Sequence, residues 1–184
     1  MFVGLFIILN IMLETPRLLL RRFTLADAAD FYQFNKSPEV VKYTGNVPTV
    51  SVEEAREIIE TVVLPQYERY NIGRLAVIEK SSGRLFGFCG LRYMEEDDVF
   101  DLGYRFAQDM WGKGYATEAC EEVIRNAFED LKLESVTGRA FKVNPASIRV
   151  LEKVGMSYQK DCLCSGEESV WYELNYIDYL ANKY

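Results

Sequence analysis

Residues 111–119, Trp-Gly-Lys-Gly-Tyr-Ala-Thr-Glu-Ala, place two glycines at the start of a predicted helix. The first backbone N–H groups of a helix have no acceptor inside the helix, and the helix dipole adds partial positive charge there. Gly112 and Gly114 allow the main chain to approach a ligand closely, and Lys113 and Thr117 can add a charge and a hydroxyl group. The segment therefore predicts a binding site for an anion such as a diphosphate.

Two glycines before a helix are also compatible with an ordinary tight turn, so this motif alone identifies no ligand. A Rossmann dinucleotide site requires a third glycine and an acidic residue after the next strand, and a Walker A loop requires Gly-Lys-Ser/Thr after a longer spacer. Neither pattern is present. Glu118, which follows the glycines, is expected to point away from the anion or to cap the helix.

The composition restricts the chemistry that can accompany this site. The 184 residues include no histidine, which excludes His-based triads, histidine metal ligands and a histidine general base. The formal net charge is -7 and the pI is about 4.8. Such a surface repels nucleic-acid phosphates and anionic membranes and weakly favours amine substrates. We expect neither a nucleic-acid partner nor a membrane partner.

Four cysteines are spaced unlike any zinc-binding pattern, so no metal site is expected. Cys89 and Cys120 lie in apolar stretches and are predicted to be buried free thiols. Cys162 and Cys164 would share one face of a strand as packing residues. Free thiols fit a reducing cytoplasm.

The first twelve residues form an apolar run that is too short to span a bilayer and lacks the features of a signal peptide. A second methionine, Met12, opens a more ordinary sequence. Residues 1–11 are therefore predicted to be an N-terminal extension. The chain has no internal repeat or long linker, which predicts one domain over residues 1–184.

The helices are predicted from caps and apolar periodicity. Thr24 with Asp27 should cap a helix to about residue 35, residues 36–50 should form a loop, and Ser51 with Glu54 should form a capping box. Pro65 is expected to break or kink the helix that follows. Later helices are predicted over 114–131, from the Asn144 cap to Gly155, and over 176–184.

Alternating and β-branched segments predict a sheet between these helices. Short turns between three successive strands imply antiparallel pairing, and a helix before the next strand implies a crossover. The fold class is thus α/β, or α+β by some schemes, with a mixed, mostly antiparallel sheet flanked by helices. The predicted strands are 17–23, 75–79, 84–93, 99–107, 135–141, 157–162 and 169–174.

A second motif, Asn144-Pro145-Ala146-Ser147 through Gly155-Met156, follows the glycine motif in the chain. Together with the opening Glu14-Thr15-Pro16-Arg17, the two motifs resemble the GNAT acetyltransferase superfamily, and most closely its Rim-type branch of ribosomal-protein N-terminal acetyltransferases. The resemblance covers residue 12 to about residue 175. It implies a central sheet with one splayed strand pair.

The resemblance also implies acetyl-CoA as cosubstrate. The family signature Gln/Arg-x-x-Gly-x-Gly/Ala falls on Trp111, Gly114 and Ala116, and Trp111 departs from Gln/Arg. The pantetheine arm would lie along the strand of Tyr104 and Phe106, and Asn144, which is also an N-cap, would bind it. The implied cofactor-binding residues are Phe106, Trp111, Gly112, Lys113, Gly114, Tyr115, Ala116, Thr117 and Asn144.

Acetyl transfer to an amine requires a neutral amine, a polarised thioester carbonyl and an acid for the leaving thiolate. By resemblance, Asp101 is the first candidate for the base, followed by Glu167 and Glu168 in the last hairpin. The family's usual tyrosine acid is replaced by Leu151, and Ser147 would assist the leaving group instead. Each of these residues also has a purely structural interpretation.

The sequence thus predicts an N-acetyltransferase acting on a protein N-terminal amine or a small-molecule amine by direct attack in a ternary complex. One alternative is a non-catalytic acyl-CoA sensor of the same fold. Another is a phosphate-binding protein of a different fold. The oligomeric state, including a homodimer, is left open.

Overall fold

The computed structural model describes residues 12–183, so the predicted extension at residues 1–11 lies outside the described residues. In the described part of the chain, eight strands form one sheet. The strands are β1 (Met12–Glu14), β2 (Leu18–Arg21), β3 (Arg74–Glu79), β4 (Leu85–Met94), β5 (Val99–Phe106), β6 (Ser135–Phe141), β7 (Ser157–Cys164) and β8 (Glu167–Asn175).

The strands lie side by side in the order β1-β2-β3-β4-β5-β6-β8-β7. All neighbouring pairs are antiparallel except β5 and β6, which are parallel. A parallel pair needs a crossover, and a helix provides it here. The predicted mixed, mostly antiparallel sheet is confirmed.

The helices cover both faces of the sheet. A short 3₁₀ turn at Leu25–Asp27 precedes the first helix, and π-type turns occupy Ile59–Val63 and Asn126–Asp130. The helices are α1 (Ala28–Asn35), α2 (Pro38–Val41), α3 (Val52–Ile58), α4 (Leu64–Tyr70), α5 (Tyr115–Arg125), α6 (Pro145–Lys153) and α7 (Tyr176–Lys183).

Two adjacent residues of β4 show which helices cover which face. The Cys89 sulfur lies 3.7 Å from the sulfur of Cys120 on α5, whereas the Phe88 ring lies 6.2 Å from Phe34 on α1. Successive strand residues point to opposite faces, so α5 and α1 lie on opposite sides of the sheet. A Cβ at Gly138 of β6 would collide with Leu151, which places α6 on the face of α5.

One local prediction is wrong and another is wrong in part. The segment 36–50 is not loop throughout, because Pro38 begins the short helix α2. Of the break or kink expected at Pro65, the break is absent, since the chain stays helical to Tyr70. The π-type turn just before α4 changes the hydrogen-bond pattern there, and Pro65 falls in the first turn of α4, where a backbone N–H is not needed.

The predicted caps at Thr24, Ser51 and Asn144 are confirmed, but the capping box at Ser51 is incomplete, because the Glu54 carboxylate accepts from the Val50 N–H at 2.6 Å instead of from Ser51. The Ser51 hydroxyl accepts from the Glu54 N–H at 3.1 Å, and the Asn144 side chain accepts from the Ser147 N–H at 3.2 Å. The Asp27 carboxylate accepts from the Thr24 N–H at 2.8 Å. Within residues 12–183, no helix is long and apolar enough to cross a bilayer.

Candidate active site

Residues 111–114, which we call the glycine turn, connect the end of β5 to the start of α5. Gly112 and Gly114 both adopt positive φ angles, 72° and 82°. Side chains with a Cβ rarely adopt this conformation, which explains why glycine occupies both positions. Glu118 is the first residue of α5 whose N–H finds a helical acceptor, the Gly114 carbonyl at 3.1 Å. The preceding N–H groups are therefore available to an anion, and the turn is exposed.

Arg17 supports this turn from outside. Its Nη1 donates to the Lys113 carbonyl at 2.9 Å, and its Nε donates to the Glu118 carboxylate at 2.5 Å. Glu118 also accepts from the Thr15 hydroxyl at 2.6 Å. Burial opposes ionisation of Glu118, but the bonds from Thr15 and Arg17 lower its pKa. Glu118 thus points away from the anion site, as expected, and anchors the turn to the first strands.

Three of the predicted cofactor residues use their side chains within the protein. The Trp111 indole donates to the Phe106 carbonyl at 2.8 Å, and the Phe106 ring is buried against Phe86. The Tyr115 hydroxyl donates to Glu79 at 2.5 Å. Phe106 and Tyr115 are thus buried, whereas Trp111 is 46% exposed at the turn. Lys113 is exposed, and its ammonium lies 3.7 Å from the Met110 sulfur.

The parallel strands β5 and β6 separate towards the glycine turn. They pair only at Asp101–Thr137 and Leu102–Gly138, although β5 continues to Phe106 and β6 to Phe141. The backbone of β5 beyond Leu102 therefore has no β6 partner on that side. We call this gap the β5–β6 cleft, and it matches the splayed strand pair that the sequence predicts.

Tyr104 and Ser147 meet at the cleft. The Tyr104 hydroxyl donates to the Ser147 hydroxyl at 3.4 Å, which links β5 to the first turn of α6. Burial raises the pKa of Tyr104, so this hydroxyl stays protonated. Asn144 uses its Oδ1 atom for the helix cap, and Thr117, one turn into α5, is half-buried.

Asp101 lies on the opposite face of β5. Its carboxylate is 3.4 Å from Arg74 and 3.6 Å from Arg139, and its side chain is 14% exposed. Burial raises the pKa of Asp101, and the two arginines oppose that rise. The base candidate is therefore already part of a charge cluster.

Glu167 and Glu168 begin β8 and are exposed. Glu168 pairs with Leu163 and Glu167 with Cys164 across the hairpin. By alternation along β8, Glu167 shares the face of Trp171, whereas Glu168 shares the face of Tyr172, which donates to Glu152 of α6. Of these two glutamates, Glu167 is the one on the same face of the sheet as Asp101.

The cysteines do not form a nucleophile. Cys89 and Cys120 are completely buried, and the Cys89 thiol together with burial raises the pKa of Cys120 well above its usual value. Burial and the neighbouring Cys164 raise the pKa of Cys162 to about 11. Thiolates are disfavoured at both positions.

The roles of Arg17 and Arg105 were not found from the sequence. The sequence places Arg17 in the opening motif and the first predicted strand. It does not indicate the ion pair with Glu118, because that residue is distant in the chain. Arg105 donates to the side-chain oxygens of Asn35, at the end of α1, and of Asn46, in the segment predicted as a loop. The position of Arg105 directly after Gly103-Tyr104 is the one local feature of the sequence that could have indicated its place on β5.

Comparison with known proteins agrees with this site. Residues 17–157 match the family described as acetyltransferase (GNAT) domain. An uncharacterised N-acetyltransferase of Bacillus licheniformis, p20, is 32% identical over 152 residues, covering 82% of this chain and 84% of that protein. A GNAT-family acetyltransferase from Bacillus anthracis superposes with a TM-score of 0.77 at 21% identity, covering 91% of this chain and 99% of that one.

A spermidine N-acetyltransferase from Vibrio cholerae, solved with CoA and spermine, superposes with a TM-score of 0.74 at 17% identity. The alignment covers 90% of this chain and 99% of that one. At this identity the likeness concerns the fold alone. The family match over residues 17–157 and the relative from Bacillus licheniformis extend it to the activity. The chain belongs to the GNAT acetyltransferase family and is an acetyl-CoA-dependent N-acetyltransferase.

Proposed function

We propose that the protein acetylates a protein N-terminal amine or a small-molecule amine by direct attack on acetyl-CoA in a ternary complex. The backbone N–H groups from Gly112 to Ala116, in the glycine turn and at the start of α5, hold the diphosphate, and the pantetheine arm enters the β5–β6 cleft. The observation that carries the proposal is the continuity of the two features, because β5 lines the cleft and leads into the turn.

Ser147 is the group that assists departure of the thiolate. It accepts a hydrogen bond from Tyr104 at 3.4 Å, so its own proton is free to be donated to sulfur. The Asn144 cap fixes the first turn of α6 and with it the position of Ser147. At the position where many relatives carry a tyrosine acid, this chain has Leu151, which is buried in the core and cannot donate a proton.

The amine approaches from the other face of β5 and β6, which we call the acceptor face. It carries Asp101, Gly103 and Arg105 on β5 and Arg139 on β6. Asp101 and Glu167 are the carboxylates placed to receive the amine proton, directly or through water. The burial of Cys89 and Cys120 and the raised pKa of Cys120 support direct attack over an acyl-enzyme route.

The test is a panel of amines and peptides incubated with acetyl-CoA, with release of the free thiol as the readout. We expect at least one amine to accelerate thiol release, with the acetylated product detected by mass spectrometry. CoA binding without turnover on any amine would favour the non-catalytic sensor. That alternative follows from Leu151, which stands where a tyrosine acid is usual. Absence of CoA binding would refute both.

A further inference from the structure

Three arginines of the acceptor face, Arg74, Arg105 and Arg139, lie around one interior carboxylate, that of Asp101. The Arg74 guanidinium lies flat over Gly103, where an added Cβ would collide with it, and its Nη1 donates to the Asp101 carbonyl at 3.0 Å. Its Nη2 is 3.4 Å from the Asp101 carboxylate, which Arg139 shares at 3.6 Å. Arg139 also forms an ion pair at 2.6 Å with Asp97, which lies in the turn between β4 and β5. One interior carboxylate thus serves two guanidinium groups.

Arg105 has no acidic partner among the ion pairs found in residues 12–183. Its guanidinium donates to two neutral side-chain oxygens, those of Asn35 and Asn46, the latter at 2.6 Å. In the same part of the chain, its Nε is a buried donor without a hydrogen-bond acceptor. Burial and the nearby Arg74 lower the pKa of Arg105 to about 10, so it is still a cation at neutral pH.

A partly buried cation without a counter-ion is costly, and the cost grows with the extent of its burial. Asn35 and Asn46 align the guanidinium but bring no negative charge. Asn35 is itself fixed, since it is 1% exposed and its Nδ2 donates to the Phe31 carbonyl at 3.1 Å. Arg105 is therefore held in place before any ligand arrives, as expected of a recognition residue.

One side of the Arg105 guanidinium reaches the protein surface. Arg105 is half-buried, and its Nη2 donates to Asn46, which is exposed. Gly45, beside Asn46, packs so closely on the β7–β8 turn that a Cβ there would collide with the Ser165 hydroxyl. A cavity of about 420 Å³, lined by residues that include Phe34 and Ala107, lies next to Asn35 and the end of β5. An anionic group of an acceptor would reach Arg105 from its exposed side.

We infer that the acceptor amine carries an anionic group, a carboxylate or a phosphate, which pairs with Arg105. This inference rests on the proposed function. Arginine presents paired N–H donors that suit both anions. A polyamine would instead place further positive charge beside Arg74 and Arg105, and these like charges repel. The net charge of -7 belongs to the whole chain and does not remove this local repulsion.

Matched acceptor pairs test the inference on the unmodified protein. The carboxylate arm compares glycine with glycinamide, and a tripeptide amide beginning with Asp with one beginning with Asn. The phosphate arm compares O-phosphoethanolamine with ethanolamine, and spermidine serves as the cationic amine. Because the amine pKa differs within a pair, kcat/KM is expressed per unprotonated amine. We expect the anionic member of at least one pair to be favoured about tenfold or more, and the favoured arm identifies the anion.

Arg105→Gln removes the charge but keeps donors for Asn35 and Asn46, and Arg105→Lys keeps the charge. We expect Arg105→Gln to reduce the ratio of kcat/KM between the anionic and the neutral member of the favoured pair to about one, and Arg105→Lys to retain part of that ratio. A purely structural role would lower both members of a pair equally.

Equal kcat/KM for the members of every pair, or a preference for spermidine, would overturn the inference and leave the acetyltransferase intact. The same holds if Arg105→Gln leaves the preference unchanged. CoA binding, measured in parallel, separates this failure from failure of the proposed function. If CoA binds and no amine in the panel is acetylated, both proposals fall.

Discussion

At the scale of single residues, the shape of the glycine turn depends on a guanidinium group from a distant part of the chain. Arg17 binds the Lys113 carbonyl and the Glu118 carboxylate together. In the proposed complex, this bond would fix the Lys113 carbonyl and leave the N–H groups of the turn available to the diphosphate. Arg17 itself does not need to contact the coenzyme for this effect.

Replacing Arg17 by alanine should therefore raise the Kd for CoA about tenfold, because the turn loses a charge-assisted bond that preorganises it. Isothermal titration calorimetry measures the change. Arg56→Ala is the matched control, since Arg56 is exposed on α3. An Arg17→Ala affinity equal to that of the control would show that the turn needs no external support.

Ser147 is the residue whose contribution separates chemistry from binding. Ser147→Ala should lower kcat about tenfold or more, with CoA affinity changed within about twofold, because the leaving sulfur loses a hydrogen-bond donor. Steady-state kinetics and calorimetry together measure this. Ser157→Ala, an exposed serine on β7, is the control. Unaltered turnover in Ser147→Ala would remove the hydroxyl from the mechanism.

At the scale of elements, a buried ion pair fixes where α1 starts. Asp27 is 6% exposed and accepts from Arg21 at 2.7 and 2.8 Å as well as from Thr24. Burial opposes ionisation of Asp27, but the bonds from Arg21 and Thr24 outweigh it and lower the pKa below 3.8. The stabilisation is thus present above the unfolded-state pKa and is lost as the pH falls through the folded-state value.

Asp27→Asn should lower the free energy of unfolding by about 2 kcal/mol at pH 7, because the charged acceptor is lost. The difference between variant and unmodified protein should shrink as the pH falls below about 4. Urea unfolding at several pH values measures it, with Asp30→Asn, an exposed residue of α1, as the control. A difference that is constant over this pH range would contradict the assignment.

At the scale of the whole molecule, the parts that the sequence predicts well are those governed by local patterns. The Ser51 and Asn144 caps, the antiparallel β3–β4–β5 series and the crossover before β6 all follow from neighbouring residues. The π-type turn before Pro65 leaves no such pattern, and its consequence for the helix was missed.

Contacts between distant segments were also missed. The bond from Arg17 to Glu118 joins residues 101 positions apart in the sequence. The bonds from Arg105 to Asn35 and Asn46 join residues 70 and 59 positions apart. Neither pair has a spacing that periodicity can reveal. The positive φ of Gly112 and Gly114 and the helix that begins at Tyr115 are in contrast consistent with the local pattern of glycines before an apolar stripe.

The central claim is that the backbone of the glycine turn binds the diphosphate of coenzyme A. Gly114→Glu tests it most directly, with Gly83→Glu as the matched control. Both glycines have positive φ, 82° and 70°, and Gly83 lies in a hairpin turn with open space around it. The backbone strain of the two substitutions is therefore similar.

Calorimetric titration with CoA is the measurement, after urea unfolding has shown both variants to be folded. We predict that Gly114→Glu abolishes detectable binding, because a carboxylate occupies the approach to the turn, whereas Gly83→Glu binds like the unmodified protein. CoA affinity in Gly114→Glu equal to that of Gly83→Glu would contradict the account.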